Sequence, residues 1–138
     1  MTKVALEALV RFLPTFERPD FKAGEWRGGE EIEPGVLSMP AVHYSDTVTA
    51  FIDTIYKHDC VSADLDWPKW AQSSEAARLR DDETVLDGAT SEQLRRLLTV
   101  CIRQDRFSEG ALLESFHSGL IVRILRRAAA ILEEKHPC

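Results

Sequence analysis

Three charged side chains near the end of the chain have the types needed to bind an anion or move a proton. Arg103, Arg106 and Glu109 lie in the segment R-x-D-R-F-x-E-G, which spans residues 103–110. A guanidinium group offers parallel donors to a carboxylate or a phosphate, so the two arginines could bind an anion. A neighbouring glutamate could act as a general acid or base. This spacing supports one hypothesis, a ligand pocket built on these three residues.

The same segment also has a purely structural interpretation. Asp105 or Ser108 could cap a following helix, because short polar side chains accept hydrogen bonds from the free amides at a helix start. Gly119 is suited to the left-handed turn after a helix end. Gly110 would lie inside a helix, where its missing side chain predicts the close approach of another backbone. We therefore expect a joint between two helices, and the anion pocket remains the alternative.

Two tryptophans in irregular stretches could form the walls of such a pocket. Trp26 follows Glu25, and Trp67 lies between Asp66 and Pro68. A tryptophan in a loop either packs on the core or presents a binding surface. Packing is the simpler interpretation, but Glu25, Trp26 and Trp67 stay candidates for binding.

Other spacings typical of catalytic or metal sites are missing from the sequence. Cys60, Cys101 and Cys138 are about forty residues apart, so no pair has the C-x-x-C spacing of a zinc site. The four histidines show neither H-x-x-x-H nor H-E-x-x-H spacing. We predict no metal and no cofactor, and a buried thiol at Cys101.

The chain is acidic, and its charge is unevenly distributed. The net charge is -6, yet residues 91–138 carry eight Lys and Arg against six Asp and Glu, a balance of +2. Residues 1–90 therefore carry -8, which argues against nucleic-acid binding because phosphate contacts need clustered positive charge. The acidic part would suit a basic protein partner, although an ordinary solvated surface is the simpler explanation.

Size and composition predict a single globular domain over residues 1–138. Apolar residues make up 44% of the chain and charged residues 29%, which is typical of soluble proteins. The apolar runs are too short for a membrane span, and the amphipathic N-terminal segment does not resemble a signal peptide. We expect a cytoplasmic protein that does not bind membranes.

Apolar residues at helical spacing predict a mainly helical fold with about five helices. The first spans residues 2–13 and is ended by Pro14. The second begins after Ser45 and carries Tyr56 on its apolar face. Further helices are predicted from Asp66 to about Arg80, from Thr90 to about Gln104 with a Thr90–Gln93 capping box, from about Ser108 to Ser118, and from Leu120 to about Lys135.

One small β-hairpin is also predicted. Residues 36–44 (VLSMPAVHY) favour an extended strand, in which Pro40 requires an edge or a bend. This strand could pair with a short strand at residues 23–27, across a broad turn that contains Gly28 and Gly29. With the hairpin the fold class is α+β, and without it α.

Several segments together resemble a bacterial family of small single-domain proteins of unknown function. The most specific is R-x-D-R-F-x-E-G at residues 103–110, followed by F-x-x-G-x-I-x-x-I-L-R-R at residues 116–127. FLPTFERPDFKAGEW at residues 12–26 and the segments around Met39-Pro40 and Asp66-Trp67-Pro68 are also similar. The resemblance implies a stand-alone bacterial domain, but no activity, cofactor or catalytic residue. It draws attention to Glu25, Trp26, Trp67, Arg103, Arg106, Glu109 and Gly110.

Two functional hypotheses follow. The first is a small non-enzymatic binding or regulatory protein that acts through a protein partner or as a homodimer, by analogy with accessory proteins and phage-derived inhibitors. The second is an enzyme that handles a small molecule or a nucleotide, with a pocket built on Arg103, Arg106 and Glu109 and walled by Trp26 and Trp67. A shared concave pocket around these side chains would favour the second hypothesis.

Overall fold

The protein is mainly helical, with two small antiparallel sheets. The computed structural model describes residues 1–135, so Cys138 lies outside the described residues. The helices are α1 (Lys3–Val10), α2 (Leu13–Phe16), α3 (Asp46–Lys57), α4 (Trp67–Ala71), α5 (Ser74–Asp81), α6 (Glu83–Leu86), α7 (Ser91–Gln104), α8 (Ala111–His117) and α9 (Leu120–Lys135). The strands are β1 (Gly24–Arg27), β2 (Glu31–Glu33), β3 (Val36–Leu37) and β4 (Ala41–Tyr44). The predicted fold class is confirmed, but the described part of the chain has nine helices, more than the predicted number of about five.

The additional helices appear where local caps divide the predicted segments. α1 ends at Val10, and Pro14 lies in the first turn of α2, where its missing N–H needs no partner. Pro14 therefore starts a helix rather than ending one. The segment predicted as one helix after Asp66 is divided at Ser73, whose hydroxyl accepts a hydrogen bond from the Ala76 amide at 3.2 Å and begins α5.

The three longest helices have the caps and apolar stripes that the sequence predicts. The Ser45 hydroxyl accepts from the third amide of α3, and Thr90 and Gln93 form the full capping box of α7 at 3.1 and 2.9 Å. Cys101 lies on the buried stripe of α7, as predicted. Along α9 the buried side chains are Leu120, Ile121, Ile124, Leu125, Ala128 and Ile131. These stripes pack into one hydrophobic cluster that also includes Leu6 and Leu9 of α1.

A group of phenylalanine rings holds the short helices against α3. Phe16 of α2 lies at its centre, with ring centroids 5.1 Å from Phe51, 5.0 Å from Phe116 and 5.0 Å from Phe21. The contacts with Phe51 and Phe116 are edge-to-face, the geometry that aromatic quadrupoles favour. This cluster fixes α8 and the segment before β1 relative to the core.

Residues 24–44 form a two-stranded antiparallel ribbon, called the β-arm below. β1 pairs with β4 in the register Gly24↔Tyr44 to Arg27↔Ala41, which confirms the predicted pairing of these two segments. The single strand predicted over residues 36–44 is wrong, since it is divided into β3 and β4, and the predicted broad turn contains a second strand pair, β2 with β3. The ribbon continues through β2 and β3, and the Gly29 amide donates to the Ser38 carbonyl at 2.8 Å between the two sheets. Apart from the base of the ribbon, the arm is largely exposed.

No helix among residues 1–135 has both the length and the apolar character needed to cross a lipid bilayer.

Candidate functional site

Asp105 is the centre of the joint between α7 and α8. Its Oδ1 accepts three hydrogen bonds, from the Tyr44 hydroxyl at 2.8 Å, the Gly110 amide at 3.2 Å and the Leu112 amide at 3.1 Å. The Tyr44 hydroxyl in turn accepts from the Leu113 amide at 3.2 Å. A carboxylate at a helix N-terminus is favoured by the free amides and by the helix dipole. The predicted cap is therefore confirmed for Asp105, and Tyr44 at the base of the β-arm completes it.

Burial keeps the Tyr44 hydroxyl protonated, so that it remains a donor. Partial burial raises the pKa of Tyr44 well above its ordinary value, and the hydrogen bond to the Asp105 carboxylate raises it further. The pair acts as a fixed tie between the arm and the helical body.

Gly110 has a different reason for being a glycine from the one predicted. It precedes α8 rather than lying inside a helix, and its φ of 93° is in the left-handed region. A Cβ on Gly110 would lie 2.5 Å from Cζ2 of Trp26, so its close neighbour is an indole ring and not a backbone. Gly119 has a φ of 83° at the turn into α9, as predicted, and a Cβ there would meet nothing within 4 Å. Gly110 and Trp26 therefore form a second tie between the joint and the arm.

Glu109 forms a third tie. Its carboxylate accepts a hydrogen bond from the Val42 amide at 2.9 Å, on the edge of β4 that faces away from β1. Glu25 of the opposite strand is held by its neighbour Arg27, with N–O distances of 2.6 and 2.8 Å. The Arg27 hydrogen bond lowers the pKa of the exposed Glu25 carboxyl. The two acidic candidates thus bind different partners, a backbone amide and an arginine.

The two candidate arginines lie over one tyrosine. The Arg103 guanidinium carbon is 6.0 Å from the centroid of the Tyr56 ring, a cation–π distance, and Nη2 of Arg106 donates to the Tyr56 hydroxyl at 3.2 Å. Within residues 1–135, neither arginine forms an ion pair. Tyr56 itself is 40% exposed, so its predicted place on the buried stripe of α3 is wrong.

Trp67 contacts the same segment through the next residue, Phe107. The two ring centroids are 5.9 Å apart, and the Phe107 side chain is 80% exposed. Because Phe107 directly follows Arg106 in the chain, we group five side chains under one name, the aromatic–arginine face: Tyr56, Trp67, Arg103, Arg106 and Phe107.

None of the five surface depressions found among the described residues brings the six sequence-predicted candidates together. Five surface depressions of the described residues have volumes of about 300 to 600 Å³, and none of the five is lined by Trp26, Trp67, Arg103 or Arg106. Glu109 and Glu25 line two separate depressions. Among residues 1–135, no group of three or more His, Cys, Asp and Glu side chains could hold a metal ion.

A comparison with models of protein families found a match. A model described as "Family of unknown function (DUF6508)" matches residues 1–134. The chain belongs to the DUF6508 family. This confirms the resemblance to an uncharacterised family of single-domain proteins. The DUF6508 match covers the β-arm, the joint and the aromatic–arginine face. Searches of curated proteins and of solved structures found no match.

Three residues of the site were not predicted from the sequence: Tyr56 and Phe107 of the aromatic–arginine face, and Tyr44 at the joint between α7 and α8. Helical spacing puts Tyr56 on the apolar stripe of α3 but does not show that its side chain is 40% exposed. Phe107 stands inside the R-x-D-R-F-x-E-G segment, so its place between Arg106 and Glu109 was the available signal. Tyr44 gave no local signal, because its partner Asp105 is 61 residues away.

Proposed function

We propose that this DUF6508 protein is a non-enzymatic binding or regulatory protein that acts through a protein partner. The observation that carries the proposal is the aromatic–arginine face, in which Phe107 is 80% exposed, contacts Trp67 and directly follows Arg106, which donates to Tyr56. Trp, Tyr and Arg are the residue types most enriched where binding energy concentrates in protein interfaces. Covering a fully exposed Phe side chain is favourable by about 1.5–3 kcal/mol, so this face gains from a partner.

The arginines of the face are already held in position. Contact with Tyr56 restricts both guanidinium groups, so less side-chain entropy is lost when they bind a carboxylate. Neither arginine is neutralised by an acidic group among residues 1–135. The patch therefore offers a partner both an apolar contact and two prepositioned donors.

The β-arm adds a second exposed apolar surface. Its exposed apolar side chains are Trp26, Ile32, Val36, Leu37 and Met39. Several large apolar side chains exposed on one short ribbon are typical of an interaction site. Glu30, Glu31 and Glu33 between them are exposed too, which suits a partner with positive charge.

A cytoplasmic location belongs to this proposal. Cys60 and Cys101 are both free and buried, and burial raises the pKa of each thiol to about 11. Free thiols are typical of proteins in reducing compartments.

Affinity capture followed by a binding measurement tests the proposal. The tagged chain is used to capture proteins from the source cell, a retained protein is identified by mass spectrometry, and its affinity for purified chain is measured by calorimetry. Phe107→Ala should weaken that affinity at least tenfold, because tenfold corresponds to about 1.4 kcal/mol and a central aromatic contributes more.

The matched control is Val4→Ala, which shortens another exposed apolar side chain, 62% exposed, on α1. The control should bind as the natural chain does. Equal affinities of the Phe107→Ala and Val4→Ala variants would contradict the proposal, as would a purified chain that binds neither another protein nor a second copy of itself.

A further inference from the structure

The β-arm and the aromatic–arginine face have opposite charge. The outer part of the arm exposes Glu30, Glu31 and Glu33, and the face carries Arg103 and Arg106. Among the described residues these arginines have no carboxylate partner. Opposite charges on matching surfaces guide association and select the partner. The chain therefore carries both halves of a complementary pair.

The apolar parts of the two surfaces also need covering. Met39 is 89% exposed on the arm, and Ile32 and Leu37 are exposed beside it. A two-stranded ribbon is only marginally stable in water and usually requires packing against another element. Phe107 and Trp67 on the face provide an aromatic surface for such packing.

The arm does not cover the face of its own chain. Three ties fix its base to the joint, namely Tyr44 to Asp105, the Val42 amide to Glu109, and Trp26 against Gly110. With the base held in this way, the side chains of the outer arm and Phe107 are all exposed in the same molecule. Any occupant of either surface in this arrangement therefore comes from another molecule.

We propose that two copies of this chain exchange β-arms, so that the arm of each copy lies on the aromatic–arginine face of the other. The inference rests on the proposed function and names its partner as a second copy. Glu31 and Glu33 would meet Arg103 and Arg106, and the apolar arm side chains would cover Phe107. A two-fold dimer makes each contact twice, so one exchange covers both exposed surfaces on both molecules.

Repulsion between two acidic chains does not prevent this arrangement. Each copy carries a net charge of -6, but charges further apart than about 8 Å are largely screened at physiological ionic strength. At the contact itself the arm of one copy meets the positive face of the other. We therefore expect the charges at the contact, rather than the net charge, to decide whether the two copies associate.

Sedimentation equilibrium on the full chain, with two charge-reversed variants, tests the exchange. As the concentration is raised to about 100 µM, the mass of the natural chain should approach twice 15.6 kDa. The arm variant Glu31→Lys/Glu33→Lys and the face variant Arg103→Glu/Arg106→Glu should each be monomeric, with dimerisation at least about 100-fold weaker. In each variant alone, like charges face each other across the dimer.

An equimolar mixture of the two variants is the decisive measurement. The Lys arm of one variant fits the Glu face of the other, and the unchanged Glu arm fits the unchanged Arg face, so the mixture should form a heterodimer. A control variant, Asp20→Lys/Glu133→Lys, reverses the same number of exposed acidic charges elsewhere and should dimerise as the natural chain does. Circular dichroism of each variant checks that the helices are intact.

Three results would overturn the exchange: a monomeric natural chain at about 100 µM, variants that still dimerise alone, or a mixture that stays monomeric. The first result is separable from failure of the proposed function. A monomer whose captured partner is lost on Phe107→Ala substitution disproves the exchange and leaves the binding function supported. A dimer restored only in the mixture supports the exchange.

Discussion

Replacing Asp105 tests whether the segment that looks most like an active site is a structural joint. Asp105→Ala removes the acceptor of three hydrogen bonds, two of them from amides at the start of α8 and one from the Tyr44 hydroxyl. Loss of a helix cap costs about 1 kcal/mol, and loss of a hydrogen bond to a charged group costs about 1.5–3 kcal/mol. Because these contributions overlap, we expect the free energy of unfolding to fall by about 3 kcal/mol.

Urea denaturation followed by far-UV circular dichroism measures this loss. For a chain of 138 residues, about 3 kcal/mol corresponds to a fall in Tm of about 10 °C. Asp105→Asn keeps the acceptor oxygen and removes the charge, so it should cost only about 1 kcal/mol.

A double-mutant cycle isolates the link to the arm. Tyr44→Phe removes the hydroxyl that donates to Asp105 and accepts from the Leu113 amide, and should cost about 1–1.5 kcal/mol alone. The double variant should be less destabilised than the sum of Asp105→Ala and Tyr44→Phe, by about 1 kcal/mol, since both remove the same hydrogen bond.

Two results would refute the structural interpretation. One is an Asp105→Ala variant as stable as the natural chain, or more stable, since functional residues often cost stability rather than add it. The other is additivity in the cycle, which would mean that Tyr44 and Asp105 do not act together.

The remaining predictions concern the second tie and the buried thiols. Gly110→Ala should destabilise the fold by about 1 kcal/mol more than Gly119→Ala, because both have left-handed backbones but only Gly110 also meets Trp26. In a Trp26→Ala background, urea denaturation should show the same loss of stability for Gly110→Ala and Gly119→Ala. If the two losses were already equal with Trp26 in place, the contact between Gly110 and Trp26 would be contradicted. Cys60 and Cys101 should resist a thiol reagent in the native state at about pH 8 and react on unfolding, as peptide mass spectrometry can show. Burial raises the pKa of both thiols from 9.0 to about 11. Between these two pH values the native chain keeps the thiol protons, whereas the unfolded chain loses them. Stability should therefore be complete below about pH 9 and decline towards pH 11, and a flat profile in equilibrium unfolding would contradict this.

Helices whose signals are local were predictable from the sequence. The capping box of α7 joins Thr90 and Gln93, which are three residues apart, so both partners are visible in the same short segment. The apolar stripes of α7 and α9 follow from the helical period in the same way. The pairing of β1 with β4 was predictable too, but the second strand pair between them, β2 with β3, was not, because an acidic run with two glycines looks like a turn.

Helix boundaries were less predictable, because several residues compete to end or begin a helix. Pro14 can terminate the helix before it or start the next, and packing of Phe16 into the aromatic cluster favours the start. Ser73 can stay inside a helix or cap a new one, and in the structure its hydroxyl accepts from the Ala76 amide and begins α5. Because both residues begin a helix, the structure has more helices than the sequence predicts.

The chemistry of residues 103–110 was decided only by the tertiary structure. The sequence by itself determined that arginine, glutamate and tryptophan side chains were available, and that a helix joint lay between Gln104 and Leu120. It did not determine whether they would converge. The partners of Glu109 and Asp105 are 67 and 61 residues away in the sequence, on a strand whose position depends on the packing of the whole core. Such long-range contacts leave no periodic trace in the sequence, since they are set by the meeting of two separately formed elements. Packing therefore turned Asp105, Glu109 and Gly110 into ties for the arm, and left Arg103, Arg106 and Phe107 on an exposed face.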